Sequence, residues 1–161
     1  MSTNKIISAS FDTFHYNRDI LETIINPELN FKWIEVDDVI HVYKGMVVEL
    51  GQQPIILHEQ LISDAVYEPI KDILFYESQT SVFSRICKFT YLIGHAVGTC
   101  NIQLMITLFN ALYTVNYNTE HFYITSELID VFTKAYNKEI HLEAFEGFLT
   151  EMILNDGWYE K

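Results

Sequence analysis

Between Lys88 and Glu120 the chain carries no aspartate, glutamate, lysine or arginine. No other feature narrows the fold so much. Burying an unpaired charge is costly, so a long charge-free stretch is one that can lie inside a protein. It is not a membrane span. His95, Asn101, Gln103 and Asn110 interrupt it, Arg85 and Lys88 precede it, and no run reaches the roughly 18 apolar residues a span requires. The spacing predicts two helices, at 81–97 and 101–115, with Gly98-Thr99-Cys100 between them. Both are apolar nearly all round, and such helices are covered on several sides. The expected architecture is all-α, with a buried central apolar hairpin wrapped by amphipathic helices.

The flanking segments supply the wrapping. Residues 1–16 read as an irregular arm with Ile6, Ile7, Phe11 and Phe14 as apolar anchors. A helix is expected from Asn17, with Ile20, Leu21, Ile24 and Ile25 on one face and Asn26-Pro27 as its stop. In 36–50, Val36, Val39, Ile40, Tyr43, Met46, Val47 and Leu50 follow helical spacing. Asp37 and Asp38 suit the positive end of the helix dipole, and Gly51 suits a C-terminal cap. The β-branched content keeps a rival open, a hairpin turning at Lys44-Gly45. Further helices are expected at 55–62 and at 67–77, the latter with Pro69 in its first turn.

Beyond the polar run 116–120, Thr125 or Ser126 can cap a helix striped by Leu128, Ile129, Phe132, Ala135 and Tyr136. A last helix at 141–154 carries Leu142, Phe145, Leu149, Met152 and Ile153. That makes seven to eight helices in one domain over 1–161. A chain of 161 residues that is 49% hydrophobic and 20% charged can fill such a core. A domain of this size buries roughly 70% of its unfolded surface.

The net charge of −12 disfavours nucleic acid and anionic membranes and steers in a basic protein partner. Cys87 and Cys100 are too few for a disulfide scaffold and match no metal or redox spacing. Free thiols in apolar surroundings suggest a reducing, cytoplasmic setting. Residues 1–10 lack the pattern of a secretory leader, so none is expected.

No constellation for catalysis stands out. The six glycines make neither a dinucleotide nor a phosphate loop, and no nucleophile elbow or zinc-binding histidine pair occurs. His15, His41, His58, His95, His121 and His141 are scattered. A pair between His95 and Cys87 or Cys100 is conceivable. Residues 87 and 95 lie about two turns apart, however, too far for a hydrogen bond along one straight helix. Glu35, Asp37 and Asp38 read as acids at a helix start rather than as a cation site, and His141, Glu143 and Glu146 as a solvated face. No catalytic residue, metal site or cofactor is expected. The ten tyrosines and eleven phenylalanines lack interleaved basic residues. They are expected to pack the core, with a few free for a partner groove.

Residues 81–94 read SVFSRICKFTYLIG. This stretch resembles the BH1 region of the Bcl-2 family, in a divergent form of the kind viruses carry. Phe83 stands for the family's tryptophan, Ser84 for its glycine and Arg85 for its arginine. Ile86, Phe89 and Gly94 fall where the family has an apolar residue, a phenylalanine and a glycine. Asn155-Asp156-Gly157-Trp158 is similar to BH2. The resemblance implies a groove that sequesters a BH3-type amphipathic helix. Arg85 would be its ionic anchor, with Val82, Phe83, Ile86 and Phe89 lining or supporting the floor, and inhibition of cell death the outcome.

The expected function is therefore non-enzymatic protein binding. Two alternatives stand beside the groove. One is an acidic inhibitor or immunity-type protein that covers a basic partner. The other is a subunit of a viral or phage assembly, which expects exposed apolar patches and self-association into a homo-oligomer.

Overall fold

A computed structural model of the chain describes residues 31–74, 81–117 and 124–155. Among the described residues there are six α-helices and no β-strand. They are α1 (Val36–Glu49), α2 (Glu59–Tyr67), α3 (Val82–Ile93), α4 (Asn101–Tyr117), α5 (Ser126–Tyr136) and α6 (Leu142–Leu149). No helix among these residues is long and apolar enough to cross a membrane.

Helix α1 follows from its spacing. Val39, Val42, Tyr43, Met46 and Val47 are the buried residues, one stripe of a 3.6-residue period. Asp37 and Asp38 occupy the first turn. The helix ends in a Schellman motif, with Gly51 at φ 74°. The Gln52 amide donates to the Val47 carbonyl at 2.9 Å and the Gly51 amide to that of Val48 at 3.0 Å. Only a residue that tolerates a left-handed backbone closes these bonds cheaply. The hairpin alternative for this segment is thereby set aside.

Helices α3 and α4 form the centre and pack on each other more extensively than any other pair. They run antiparallel. Phe83, at the start of α3, meets Phe109 and Tyr113 late in α4, each at 5.9 Å between ring centres. Gly94, at the end of α3, lies over Met105 near the start of α4. A Cβ at Gly94 would come within 2.5 Å of the Met105 sulfur and 3.2 Å of the Tyr136 ring, so a glycine lets α3 close on α4 and α5. Every residue of α4 from Leu104 to Val115 is buried. Its polar members turn inward, as where Thr114 Oγ1 donates to the Ala111 carbonyl at 3.2 Å.

Aromatic rings tie the outer helices to this centre. Phe109 of α4 meets Phe132 of α5 at 5.6 Å, Phe132 meets Phe145 of α6 at 5.2 Å, and Phe145 meets Tyr91 of α3 at 5.9 Å. With the Phe83–Phe109 pair the sequence closes a ring through all four helices. Edge-to-face pairs add about 0.5–1.5 kcal/mol each beyond burial. The Tyr43 hydroxyl binds the connections on the other side. It lies 2.7 Å from Thr99 Oγ1 and accepts from the Ile55 amide at 3.1 Å.

Several sequence expectations are corrected. The described residues hold six α-helices, and two of the expected ones differ: the helix expected at 55–62 begins only at Glu59, and the stretch expected as a helix at 67–77 is a 3-10 run over Glu68–Leu74. Ile55 to Leu57 is extended, because it pairs with the end of the α3 connection. Leu57 N–H donates to the Ala96 carbonyl at 3.0 Å and Gly98 N–H to that of Ile55 at 2.8 Å. At 67–77 no new α-helix starts at Pro69. Instead α2 runs into it, and the chain tightens into a 3-10 run, Glu68–Leu74. Proline has no N–H for the α ladder, so the helix cannot continue in register through it. Helix α3 stops at Ile93 and passes through a 3-10 turn, Gly94–Ala96, while the helix expected at 141–154 is α as far as Leu149 and π over Thr150–Asn155. The expected arm at 1–16, the helix from Asn17 and the motif around Trp158 lie outside the described residues.

Candidate functional site

The BH1-like stretch forms α3, and its candidate residues Val82, Phe83, Arg85, Ile86 and Phe89 lie in the first two turns. Ser81 starts the helix, its Oγ accepting from the Ser84 amide at 3.1 Å. Val82 is half-buried, whereas Phe83, Ile86 and Phe89 are buried. Phe89 meets the Trp33 ring at 5.8 Å, and Trp33 is fixed by its Nε1 donating to the Val66 carbonyl at 2.9 Å. Arg85 is only 3% exposed. Its Nη1 donates to the Pro69 carbonyl at 2.7 Å, and its guanidinium lies 5.8 Å from the centre of the Phe31 ring. The structure thus places the five residues on one stretch of helix, with Phe83, Arg85, Ile86 and Phe89 buried and Val82 half-buried. Phe31 and Pro69 flank Arg85, and Trp33 packs on Phe89.

The other sequence candidates stay apart. Glu35 lies just before α1 and accepts from the Tyr67 hydroxyl at 3.2 Å. Burial pushes the Asp38 carboxyl up, while the backbone hydrogen bond at Glu35 opposes it. Among the described residues no three His, Cys, Asp or Glu side chains gather as metal ligands. His95 stacks on Tyr136 at 4.7 Å, and its buried Nε2 has no hydrogen-bond partner among the described residues. Neither cysteine is therefore paired with that nitrogen. Burial pushes the Cys87 thiol well up and the Cys100 thiol up, which keeps both in the unreactive protonated form.

A further concave surface lies between α5 and α6, a cleft of about 330 Å³. Val131, Ile140, Phe148 and Met152 are its apolar lining, and Glu127, Asp130, Glu151 and Lys134 its polar one. Phe148 is 46% exposed, which is unusual for so large an apolar side chain. Lys134 Nζ is 3.1 Å from Asp130 Oδ2, one turn away on α5. Glu127 and Glu151 have no ion-pair partner among the described residues. Thr125 positions this face of α5 by capping it, its Oγ1 accepting from the Leu128 amide at 3.2 Å.

Sequence reasoning passed over this cleft. The stripe Phe145, Leu149, Met152, Ile153 accounts for the buried side of the last helix and leaves Phe148 unassigned. A phenylalanine one turn after Phe145 but off the stripe was the available signal. Glu127 and Asp130 of α5 lie too far in sequence from Glu151 to announce a common rim. Comparison of the chain with protein-family models, curated proteins and solved structures finds no match.

Proposed function

We propose that the chain is a non-enzymatic protein-binding domain that sequesters a BH3-type amphipathic helix, in the manner of a divergent Bcl-2-like protein, and so blocks cell death. The observation that carries this reading is that the BH1-like stretch forms α3, the helix paired antiparallel with the buried α4. That is the layout the resemblance implies.

The free chain already holds Arg85 in a ligand-like embrace. The Pro69 carbonyl occupies one arm of the guanidinium and the Phe31 ring lies beside it. A carboxylate from a bound helix forms a stronger, charge-assisted bond than a carbonyl does, and it can be bidentate. Binding would exchange the carbonyl for that carboxylate, and the 3-10 run Glu68–Leu74 would move aside. Phe83, Ile86 and Phe89 then support the groove floor from below, and half-buried Val82 lines it. The two free thiols fit a reducing, cytoplasmic setting.

Fluorescence polarisation with a panel of labelled BH3-type peptides tests the reading. Submicromolar binding is expected, weakened about ten-fold or more by Val82→Glu, which reaches the surface without opening the core. Circular dichroism should show the variant folded. No binding at tens of micromolar by the folded wild-type chain sinks the proposal.

A further inference from the structure

The cleft between α5 and α6 has an apolar floor and an acidic rim, and that chemistry specifies an occupant. We propose that it takes a basic amphipathic segment of a partner protein, with one apolar side chain seated against Phe148 and Met152 and lysine or arginine side chains reaching Glu127 and Glu151. This inference does not depend on the groove beside Arg85.

Three observations carry it. The first is Phe148. It is half-exposed on the cleft, beside the buried Val131 and Met152, and so offers an anchor without being part of the buried core. Aromatic anchors of this kind contribute disproportionately to protein interfaces.

The second is charge. Three carboxylates line the cleft against one ammonium, and that ammonium is already engaged by Asp130. Glu127 has a structural reason to be there, since an acid in the first turn of α5 favours the helix dipole. Glu151 lies on the π-helical continuation of α6, exposed and with no ion-pair partner among the described residues. A basic partner supplies that missing cation, and the net charge of −12 steers such a partner in.

The third is backbone form. Glu151 and Met152 lie on the π-helical turn Thr150–Asn155, where α6 widens. Thr150 Oγ1 donates back to the Glu146 carbonyl at 2.8 Å. Wide turns of this type recur at functional sites because they re-aim side chains that a regular helix would carry past.

The experiment uses the full chain and two labelled stapled helices. One has a leucine stripe flanked by lysines, and the other has the same stripe flanked by glutamates. Fluorescence polarisation is expected to show the lysine helix binding about ten-fold or more tightly than its glutamate counterpart, with the affinity falling as salt is added. Phe148→Ala and the double variant Glu127→Gln, Glu151→Gln should each weaken the lysine helix about five-fold or more. Both alter exposed side chains, and circular dichroism checks that the fold survives. A lysine helix that binds wild type and Phe148→Ala alike reports only the general acidic field and overturns the proposal. So does equal binding of both helices. Sedimentation that shows a dimer abolished by Phe148→Ala also overturns it, because the occupant is then a second copy of the chain. Failure of BH3-type peptides leaves this result untouched, since those peptides are tested through Val82.

Discussion

Arg85 shows how much one side chain can decide. It is buried, and its guanidinium is held by a backbone carbonyl from sixteen residues upstream. Arg85→Glu would put a carboxylate against the Pro69 carbonyl, and an uncompensated buried charge costs on the order of 3–5 kcal/mol. Arg85→Met keeps the stem packed and is expected to cost less. Urea unfolding of the two variants checks the order, and a fully stable Arg85→Glu would mean that the guanidinium stands in solvent. Lys138 offers the opposite opportunity. It holds φ 59° at the end of α5, with its amide donating to the Ala135 carbonyl. A left-handed backbone costs a residue with a Cβ roughly 1–2 kcal/mol. Lys138→Gly is therefore expected to gain up to about 1 kcal/mol after the glycine's entropy is counted. A lower melting temperature for that variant would refute the account. His95 governs a pH response. Burial, then the Lys138 ammonium, hold its imidazole below the ordinary value of 6.5, against the pull of the backbone hydrogen bond at Tyr136. The unfolded chain takes up that proton first. The stability present above about 6.5 is thus lost as pH falls through that value toward the lower folded one. Asp38 has the opposite sign, being raised by burial, but it acts in the carboxylate range below this window. His95→Phe preserves the stack on Tyr136 and should flatten the fall of melting temperature just below pH 6.5; an unchanged slope would assign it elsewhere.

At the scale of elements, legibility followed the range of the forces. Helix α1 could be read because its stripe, its first-turn acids and its Gly51 cap all lie within the segment itself. The start of α5 could be read for the same reason, down to Thr125 as one of two capping candidates. Replacing Thr125 with alanine is expected to cost about 1 kcal/mol, visible as a lower midpoint in urea, because the Leu128 amide loses its acceptor. A midpoint unmoved within error would show the cap to be idle. Elements set by distant partners could not be read. Ile55 to Leu57 carries apolar residues that suit a helix, yet Ala96 and Gly98 offer hydrogen bonds that hold it extended. Pro69 looked like a helix opener, which is its common role, but the preceding helix already extended to Tyr67. Whether a proline opens a helix or ends one depends on what is upstream. The inward orientation of the BH1-like stretch was hidden likewise, since an arginine in an apolar helix reads the same under Phe31 and Pro69 as it would in solvent.

For the molecule as a whole, the charge-free stretch was the informative signal. It located the buried pair because exclusion of charge is a demand of the interior on every residue, independent of which neighbours do the burying. The acidic surface is the complement of that core, and it has a measurable cost. With 22 acidic residues against 10 basic ones, like charges repel across the folded surface more closely than in the expanded chain. Screening reduces this repulsion. The Debye length falls from roughly 30 Å at 0.01 M to about 8 Å at 0.15 M salt, so distant like charges lose contact first, while the short Lys134–Asp130 and Lys71–Glu68 pairs lose little because they contribute little. Sodium chloride is therefore expected to raise the melting temperature over this range by a few degrees, since each kcal/mol moves a domain of this size by roughly 2–4 °C. The same salt should slow capture of a basic helix by the α5–α6 cleft. A melting temperature that falls with salt would mean that attractive pairs outweigh the repulsion. Opposite responses of stability and association are the mark of a field that strains the free chain and is relieved by the partner.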